Sequence, residues 1–326
     1  MKIFRIKETS PYVTLALENI IMNDPDITGD VLILYQHNNA IIIGNNQNAY
    51  EEINREFVAD NKIELARRKS GGGAVYHDLG NINFSFISDK SDDNSYQKFL
   101  SPIIGFLNSL GLNAEFHGRN DILVNGYKIS GNAQYISGNR IVSHGTILFD
   151  VDVTKLSNAL KPNKIKFESK GIQSVRARVT NIINILPEKM SVEEFINKLI
   201  KYFIEKENSE LLDIPFSKYD AKLNELKELF KSEKWIFDRA ADFNFSNTEK
   251  FQGGLLTVKG QIEKGYIKKL YFEGDFLSKK DIREIEPLFE NLHLDEFSIT
   301  MKLDEIELSD YFGTLKRSEI VKLILG

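Results

Sequence analysis

The chain has 326 residues, with 42 lysines and arginines against 47 aspartates and glutamates, and it contains no cysteine. At roughly 150 residues per domain, this length predicts about two domains that each bury a core. The near balance of charge provides no overall basic field for holding nucleic acid. The lack of cysteine excludes disulfides, thiolate zinc sites, iron–sulfur clusters and every mechanism that passes through a cysteine thioester.

The first residues alternate charged and apolar side chains and lack the continuous apolar stretch of a signal peptide. The longest apolar runs, at 31–34 and 40–43, are far shorter than the ~20 residues that span a bilayer. The sequence therefore predicts a cytoplasmic protein that has no membrane partner.

The first half of the chain mixes β-rich runs with amphipathic helices, and it contains no internal repeat. Two tight hairpins are predicted at Asn125-Gly126 and Gly138-Asn139, because turn formers stand there between β formers. This order predicts an α+β fold in which helices flank a mixed β-sheet. Apolar spacing predicts strands at 31–35, 40–44, 63–67 and 82–86, the first two forming a pair, and helices at 51–61 and 95–110.

A long helix is predicted to start at Ser191, a good N-cap followed by two glutamates that suit the positive end of the helix. A second helix is predicted over 218–235. Beyond about residue 251 the pattern predicts short strands at 255–258 and 267–272 and a helix near 279–291. We therefore predict a catalytic domain over 1–245 and a smaller α+β domain over 246–326.

The densest group of chemically useful residues is segment 67–78, Arg-Arg-Lys-Ser-Gly-Gly-Gly-Ala-Val-Tyr-His-Asp. Three successive glycines let backbone N–H groups approach an anion closely, and Arg67, Arg68 and Lys69 supply compensating charge. The glycine spacing matches neither a Walker A loop nor a dinucleotide fingerprint. By itself the segment is also compatible with a glycine-rich surface turn beside a basic patch.

A second group consists of Asn120 and Asp121 at the start of a strand and Lys128 just after the first hairpin. Asp121 is either a surface ion partner of Arg119 or a group that orients a lysine or Mg²⁺. Lys128 is either a guard on an edge strand or a catalytic group. The basic run 161–178 is either a solvated loop or a mobile flap that closes over a polyanion.

The five histidines lack the spacing of a zinc site, and no Gly-x-Ser-x-Gly nucleophile elbow occurs. The remaining candidate site consists of glycine backbone, lysine and arginine. These groups are suited to binding phosphates and carboxylates.

Together these segments resemble the lipoate–protein ligase family. The family's signature Arg-Arg-x-Ser-Gly-Gly-Gly-Ala-Val-(Tyr/Phe)-His-Asp-x-Gly-Asn-x-x-Phe matches Arg67 to Phe84 without a gap. The sequence departs from the family at Asn45, where similar proteins often carry a basic residue, so an ionic contact at that point is in doubt. Further matches are Gly118-Arg119-Asn120-Asp121, Lys128-Ile129-Ser130-Gly131-x-Ala133, His144-Gly145-Thr146 and Ser174-Val175-Arg176-Ala177-Arg178-Val179-Thr180-Asn181.

The resemblance implies a biotin/lipoate ligase-like catalytic domain and an accessory C-terminal domain. It implies an enzyme that joins lipoate to ATP as lipoyl-AMP and transfers the lipoyl group to a carrier lysine. The implied carriers are apo lipoyl domains of 2-oxoacid dehydrogenase acyltransferases or the glycine-cleavage H-protein. ATP is then a substrate, Mg²⁺ the metal, and a monomer is expected because the second substrate is itself a protein.

By the family's pattern, Lys128 lies between the phosphate and the lipoyl carbonyl, and Asp121 orients Lys128 or holds Mg²⁺. Both residues are assigned as catalytic, and His77 and Asp121 are the candidate bases for the transfer step. Val75 and Ile43 are expected to face the apolar tail of lipoate. The nucleotide contacts implied are Arg68, Gly73, Ala74, Val75, Tyr76, Asn120, Lys128 and Arg178. The lipoate contacts implied are Ser70, Gly71, Gly72, Val75, His77, Lys128 and His144.

Three alternatives stay open beside this interpretation. An octanoyl or lipoyl transferase of the same fold would need a cysteine thioester, which this chain cannot form. A biotin ligase shares the chemistry, but its usual Gly-Arg-Gly-Arg loop is missing. A non-catalytic lipoate-binding protein would be expected to have lost the lysine or the glycine triplet, and both are present.

Overall fold

The computed structural model describes residues 1–159, 179–237 and 243–326. The strands in these ranges are β1 (Lys2–Arg5), β2 (Val31–Tyr35), β3 (Ala40–Ile43), β4 (Glu64–Arg67), β5 (Val75–His77), β6 (Asn81–Asp89), β7 (Ala114–His117), β8 (Asp121–Val124), β9 (Tyr127–Ser137), β10 (Arg140–Leu148), β11 (Glu210–Leu212), β12 (Phe245–Phe251), β13 (Gly254–Glu263) and β14 (Tyr266–Gly274). The helices are α1 (Pro11–Asn23), α2 (Ala49–Glu52), α3 (Arg55–Asp60), α4 (Tyr96–Ser109), α5 (Val153–Ala159), α6 (Val192–Lys206), α7 (Phe216–Lys231), α8 (Glu233–Phe237), α9 (Glu296–Asp304), α10 (Leu308–Phe312) and α11 (Arg317–Leu325).

The central element is an eight-stranded sheet with the order β11-β1-β2-β6-β10-β9-β8-β7. β1 runs parallel to β2 and β11, and the other neighbours are antiparallel, which confirms the predicted mixed sheet. Helices α4 and α6 bury their apolar faces on one side of the sheet, and α1 and α7 do so on the other. None of the helices that the structure describes is long and apolar enough to cross a membrane.

The predicted pairing of the first two strands is wrong. β2 lies inside the central sheet, whereas β3 lies between β4 and β5 in a separate three-stranded sheet. The loop between β2 and β3 ends at Asn39, whose φ of 53° is left-handed, and the chain leaves the central sheet there instead of folding back as a hairpin. Which sheet each strand joins therefore depends on contacts with other segments, and the residues of the strand itself do not specify it.

Both predicted hairpins are confirmed. At the first, Asn125 (φ 51°) and Gly126 (φ 80°) link β8 to β9 in the two-residue turn that Asn-Gly favours. Beside this turn the register of the two strands shifts, so that Ile122 lies opposite Ser130 but Leu123 lies opposite Lys128. This β-bulge gives β9 one extra residue directly next to Lys128, and bulges commonly redirect a side chain beside an active site.

Some predicted helices are interrupted. The helix predicted over 51–61 is two short helices, because Asn54 caps α3 by accepting a hydrogen bond from Phe57 N (3.2 Å). The helix predicted over 218–235 is α7 followed by α8, with a break at Ser232. The helix predicted near 279–291 consists of two 3₁₀ turns, Ile282–Glu284 and Glu286–Phe289.

The accessory region, residues 245–326, contains the antiparallel sheet β12-β13-β14 with α9, α10 and α11. Both strands predicted there, at 255–258 and 267–272, are confirmed. Its side chains form a hydrophobic cluster of their own, around Phe272, Phe276 and Phe312. A core of its own is typical of a domain, and the division of the chain at 245/246 stays a prediction.

Candidate active site

A cavity of about 210 Å³ lies over the central sheet, along a row of residues that runs across four neighbouring strands. Tyr35, Asn83, Thr146 and Gly131 line it from the neighbouring strands β2, β6, β10 and β9. The Oγ1 of Thr146 accepts a hydrogen bond from Gly131 N (3.3 Å), which keeps the last two strands in register. At ~4.8 Å per strand interval, the row is roughly 14 Å long.

The two ends of this cavity differ in polarity. Lys128, Asn120 and Asn132 line the end at β9, which we call the lysine end. The end at β2, the apolar end, is lined by Leu15, Tyr35 and Ile42, which belong to one hydrophobic cluster, with Val75 packed against it. Ile43, which was expected here, faces the opposite side of β3 and packs in another cluster, because adjacent residues of a strand point to opposite faces.

At the lysine end, the Nζ of Lys128 lies 2.7 Å from Oδ1 of Asp121. Asp121 does not line the cavity and holds the ammonium from behind. Asn132 donates through its backbone N (3.0 Å) and its side-chain Nδ2 (2.8 Å) to the carbonyl of Asn120. The loop that carries Asn120 and Asp121 is thus fixed to the strand that carries Lys128.

Arg68 is buried in the cavity wall, and its guanidinium shapes the glycine loop. It donates to the carbonyls of Gly71 (2.7 Å), Gly73 (2.8 Å) and Ile42 (3.0 Å) and to Oγ of Ser70 (3.1 Å). Burial lowers the pKa of Arg68 to about 10, so the side chain is still positively charged at neutral pH. Arg68 therefore supplies both the loop conformation and a fixed cation.

Arg67 does not face the cavity, contrary to the expectation that it compensates an anion there. Its side chain is 1% exposed and holds together two distant parts of the chain. Lys69, the third basic residue, does not line the cavity either. The guanidinium of Arg67 donates to the carbonyls of Gly44, Asn45, Gln47, Trp235 and Ile236.

A buried chain of hydrogen bonds runs behind the glycine loop. Arg68 donates to the Ser70 hydroxyl, which lies 2.6 Å from Nε2 of His144, and Nδ1 of His144 donates to Glu18 (3.0 Å). Glu18 also accepts from Ser85 and Tyr135. Burial alone would raise the pKa of Glu18, but His144 and the hydroxyl donors hold it below its ordinary value. The result is a buried carboxylate that stays ionised.

A pair of histidines closes the apolar end. Nδ1 of His37 lies 2.9 Å from Nδ1 of His77, and Nε2 of His37 lies 2.6 Å from the hydroxyl of Thr14. Burial lowers the pKa of His37 to about 3 and the pKa of His77 well below its ordinary value, so both rings are neutral. His77 is therefore present in the cavity as predicted, whereas the sequence assigned no role to His37.

The accessory region forms the roof of the cavity. Leu277 lines the cavity, Phe276 O accepts a hydrogen bond from Gly72 N (3.0 Å), and Ser278 O accepts one from Gly71 N (3.4 Å). The side chain of Asn46 donates to Oγ of Ser278 (2.9 Å). Two of the backbone N–H groups that the sequence assigned to an anion are thus engaged by carbonyl oxygens in this arrangement.

The structure brings most of the predicted site residues to this one cavity. Tyr76 is an exception, because its side chain packs on the other side of β5 and its hydroxyl donates to Asn39 (3.0 Å). Ser70 and Gly71 lie behind the cavity wall, and Arg178, like the rest of the predicted flap, lies outside the described residues. The predicted residues that line the cavity are Arg68, Gly72, Gly73, Ala74, Val75, His77, Asn120, Lys128 and His144.

The sequence motifs assigned no role to Glu18, Tyr35, His37 or Leu277. For Glu18 a signal exists, namely a single carboxylate inside the apolar run 15–22 of helix α1. Leu277 has no such signal, because its role depends on how the accessory region packs on the loop. Within the parts of the chain that the structure describes, no group of three or more His, Asp or Glu side chains is arranged to hold a metal ion.

Comparison with known proteins gives matches over nearly the whole chain. Residues 10–204 match the lipoyl protein ligase A/B catalytic domain, and residues 240–324 match the bacterial lipoate protein ligase C-terminus. The chain is 39% identical over 321 residues to a lipoate-protein ligase of Bacillus subtilis, and the match covers 96% of each protein.

Solved structures are similar as well. P. falciparum LipL1 in complex with lipoate superposes with a TM-score of 0.84 and 25% identity, over 100% of this chain and 99% of that one. Lipoate-protein ligase A bound with ATP gives a TM-score of 0.62 and 28% identity, over 72% of this chain and 98% of that one.

Proposed function

This chain belongs to the lipoate–protein ligase family, and on that premise we propose that it activates lipoate with ATP and loads it onto a carrier protein. The carboxylate of lipoate attacks the α-phosphorus of ATP, and pyrophosphate leaves. The ε-amine of a lysine on an apo lipoyl domain then attacks the acyl carbonyl, and AMP leaves. The observation that carries this proposal is the position of Lys128 at the polar end of a cavity whose other end is apolar.

Lys128 addresses the main difficulty of the first step, which is that both reactants are anions. Its Nζ provides a positive charge at the end of the cavity where the carboxylate and the phosphate would meet. A cation ~4 Å from a developing charge contributes roughly 4 kcal/mol at an effective dielectric of ~20, about a thousandfold in rate. The ion pair with Asp121 holds the ammonium in one orientation, which favours an in-line approach.

The nucleotide requires the roof of the cavity to open. A volume of about 210 Å³ is below the roughly 300–1,000 Å³ of typical small-molecule sites, and lipoyl-AMP combines an acyl chain with a nucleotide. We infer that Phe276 and Ser278 leave the glycine loop when ATP binds. Their departure frees the N–H groups of Gly71 and Gly72, which then donate to phosphate oxygens.

Asp121 fits a role in holding Mg²⁺ that arrives with ATP. Protein sites for this ion commonly supply one or two carboxylates and leave the other positions to phosphate oxygens and water. Asp121 supplies one such carboxylate, because it pairs with Lys128 at the lysine end, where the phosphates would bind. Bound there, the ion would neutralise phosphate charge.

The second step needs a group that removes a proton from the target lysine. At a pKa near 10.4, only about one amine in a thousand is neutral at pH 7.4. Asp121 contacts Lys128 at the lysine end, where the acyl carbonyl would lie, whereas His77 lines the apolar end. We therefore assign the role of proton acceptor to Asp121.

The proposed carriers are apo lipoyl domains of dehydrogenase acyltransferases or the glycine-cleavage H-protein, and the enzyme acts as a monomer.

A loading assay tests this function. ATP, lipoate, Mg²⁺ and an apo lipoyl domain are incubated with the enzyme, and the carrier is weighed by intact-mass spectrometry. The expected result is a carrier heavier by one lipoyl group only when ATP is present. Equal loading without ATP would instead favour a transferase. Lys128→Ala is expected to abolish loading, and Lys201→Ala, which alters an exposed lysine of α6, is the matched control.

A further inference from the structure

One buried nitrogen of the cavity wall, Nε2 of His77, has no hydrogen-bond partner among the described residues. The residue is only 4% exposed, so bulk water does not satisfy this atom. The other ring nitrogen of His77 is engaged with His37. A ligand in the cavity is therefore the group available to pair with Nε2.

The hydrogen bonds behind His77 determine whether this nitrogen donates or accepts. The hydroxyl of Thr14 contacts the carbonyl of Pro11 (3.2 Å) and Nε2 of His37 (2.6 Å). A hydroxyl has one hydrogen and a carbonyl can only accept, so both contacts form only if Thr14 donates to Pro11 and accepts from His37. His37 then carries its hydrogen on Nε2, and its Nδ1 is an acceptor.

The position of the hydrogen on His37 also fixes its position on His77. Because Nδ1 of His37 accepts, Nδ1 of His77 must donate to it across the 2.9 Å contact. A neutral imidazole carries one hydrogen, and burial keeps both rings neutral by lowering their pKa values. Nε2 of His77 therefore presents a lone pair to the cavity, and a matching ligand must carry a hydrogen-bond donor.

The position of His77 limits which part of a ligand can supply that donor. The ring contacts His37 just beyond the end of β2, at the apolar end of the row that begins near Lys128. An acyl chain with its carboxylate at Lys128 directs its distal atoms to this end. In lipoate these atoms are a ring disulfide, which has no donor, whereas the reduced form has two thiols, and a thiol S–H is a weak donor.

We propose that His77 is a specificity-determining residue that makes the cavity bind the reduced, dithiol form of lipoate in preference to the ring disulfide. The proposal rests on the function proposed above, because it takes the acyl chain to lie between Lys128 and His77. Thr14 and His37 act as positioning residues, since they keep the lone pair of His77 directed at the ligand.

The test measures binding of lipoate, dihydrolipoate and octanoate to the full-length enzyme by anaerobic titration calorimetry without ATP. The wild type is expected to bind dihydrolipoate roughly fivefold more tightly than lipoate, the size of one weak hydrogen bond. Octanoate, which has no donor, is expected to bind like lipoate. In His77→Phe the preference for dihydrolipoate should disappear.

Thr14→Val supplies a readout that a purely structural role would not give. Without the hydroxyl, His37 can carry its hydrogen on Nδ1, and the hydrogen of His77 can then move to Nε2. In Thr14→Val we expect the Kd for lipoate divided by the Kd for dihydrolipoate to fall to one or below. Thr14→Ser keeps the hydroxyl, so its ratio should equal that of the wild type. Thr14 does not line the cavity, so neither variant alters a ligand contact.

The possible results separate this inference from the proposed function. Equal affinity of the wild type for lipoate and dihydrolipoate overturns the inference alone, and so does a preference that persists in both Thr14→Val and His77→Phe. If the wild type binds none of the three acids, the proposed function fails and the inference fails with it.

Discussion

The Nζ of Lys128 lies 2.7 Å from Oδ1 of Asp121, at the point where a bulge gives β9 one residue more than β8. The two side chains are 37% and 29% exposed, and ion pairs of this exposure contribute little to stability. We therefore expect the contact to act mainly on catalysis, by fixing the orientation of the ammonium.

Asp121→Asn is expected to lower the rate of adenylate formation roughly a hundredfold, because a mispositioned catalytic group costs about that much. The free energy of unfolding should change by less than about 1 kcal/mol. Pyrophosphate release without a carrier measures the rate, and thermal unfolding measures the stability. A rate close to that of the wild type would remove Asp121 from the positioning role.

Glu18→Gln is expected to make stability depend less on pH. The pKa of Glu18 lies below its ordinary value of 4.5, so the ionised group stabilises the fold above that pH and loses this effect as pH falls through the lowered pKa. At pH 7 the substitution should destabilise by about 3 kcal/mol, the cost of disrupting a buried charged network. Urea unfolding at pH 7, and again at pH 4 and below, measures the difference in the free energy of unfolding between the wild type and the variant. This difference should become smaller as the pH falls. A constant difference would contradict the assignment.

Arg67→Met should destabilise the catalytic part of the protein by at least about 3 kcal/mol, because it leaves several buried carbonyls without donors. Urea unfolding can be followed by the fluorescence of Trp235, the single tryptophan of the chain, whose Nε1 donates to Arg67 O (3.0 Å). Lys201→Ala serves as the exposed control. Equal stability of the two variants would show that the hydrogen bonds of Arg67 do not stabilise the fold.

Gly71→Ala is expected to displace the accessory region from the glycine loop. An added Cβ would lie 2.5 Å from Ser278 N and 2.6 Å from Phe276 O, and these backbone atoms cannot move without moving the segment. Small-angle scattering should therefore show a larger radius of gyration. Gly73→Ala is the matched control, since the nearest atom to its added Cβ is 4.0 Å away. If both variants have the wild-type radius, the loop tolerates the added carbon and this contact does not hold the roof.

Local rules predicted those parts of the fold that depend on neighbouring residues. Asn125 and Gly126 adopt the backbone angles that their residue types favour, so the hairpin next to Lys128 followed from the sequence. The partners of β2 and β3 did not, because each strand joins a different sheet through contacts with distant segments.

The same limit applies to the site. Arg67 and Arg68 are adjacent and have the same charge, and strand alternation implies that they point to opposite sides. Nothing in the segment itself says which side faces the cavity. The hydrogen bonds of Arg67 to Trp235 and Ile236, far along the chain, decide it.

These bonds also bear on where the catalytic fold ends. The match to the catalytic domain of the family stops at residue 204, yet Arg67 depends on carbonyls of α8, more than thirty residues further on. A chain truncated at 204 would lose Trp235 and Ile236 and leave a buried guanidinium short of acceptors. The segment between the two family matches thus completes the loop at 44–47, and a minimal active fragment of this enzyme must extend through α8.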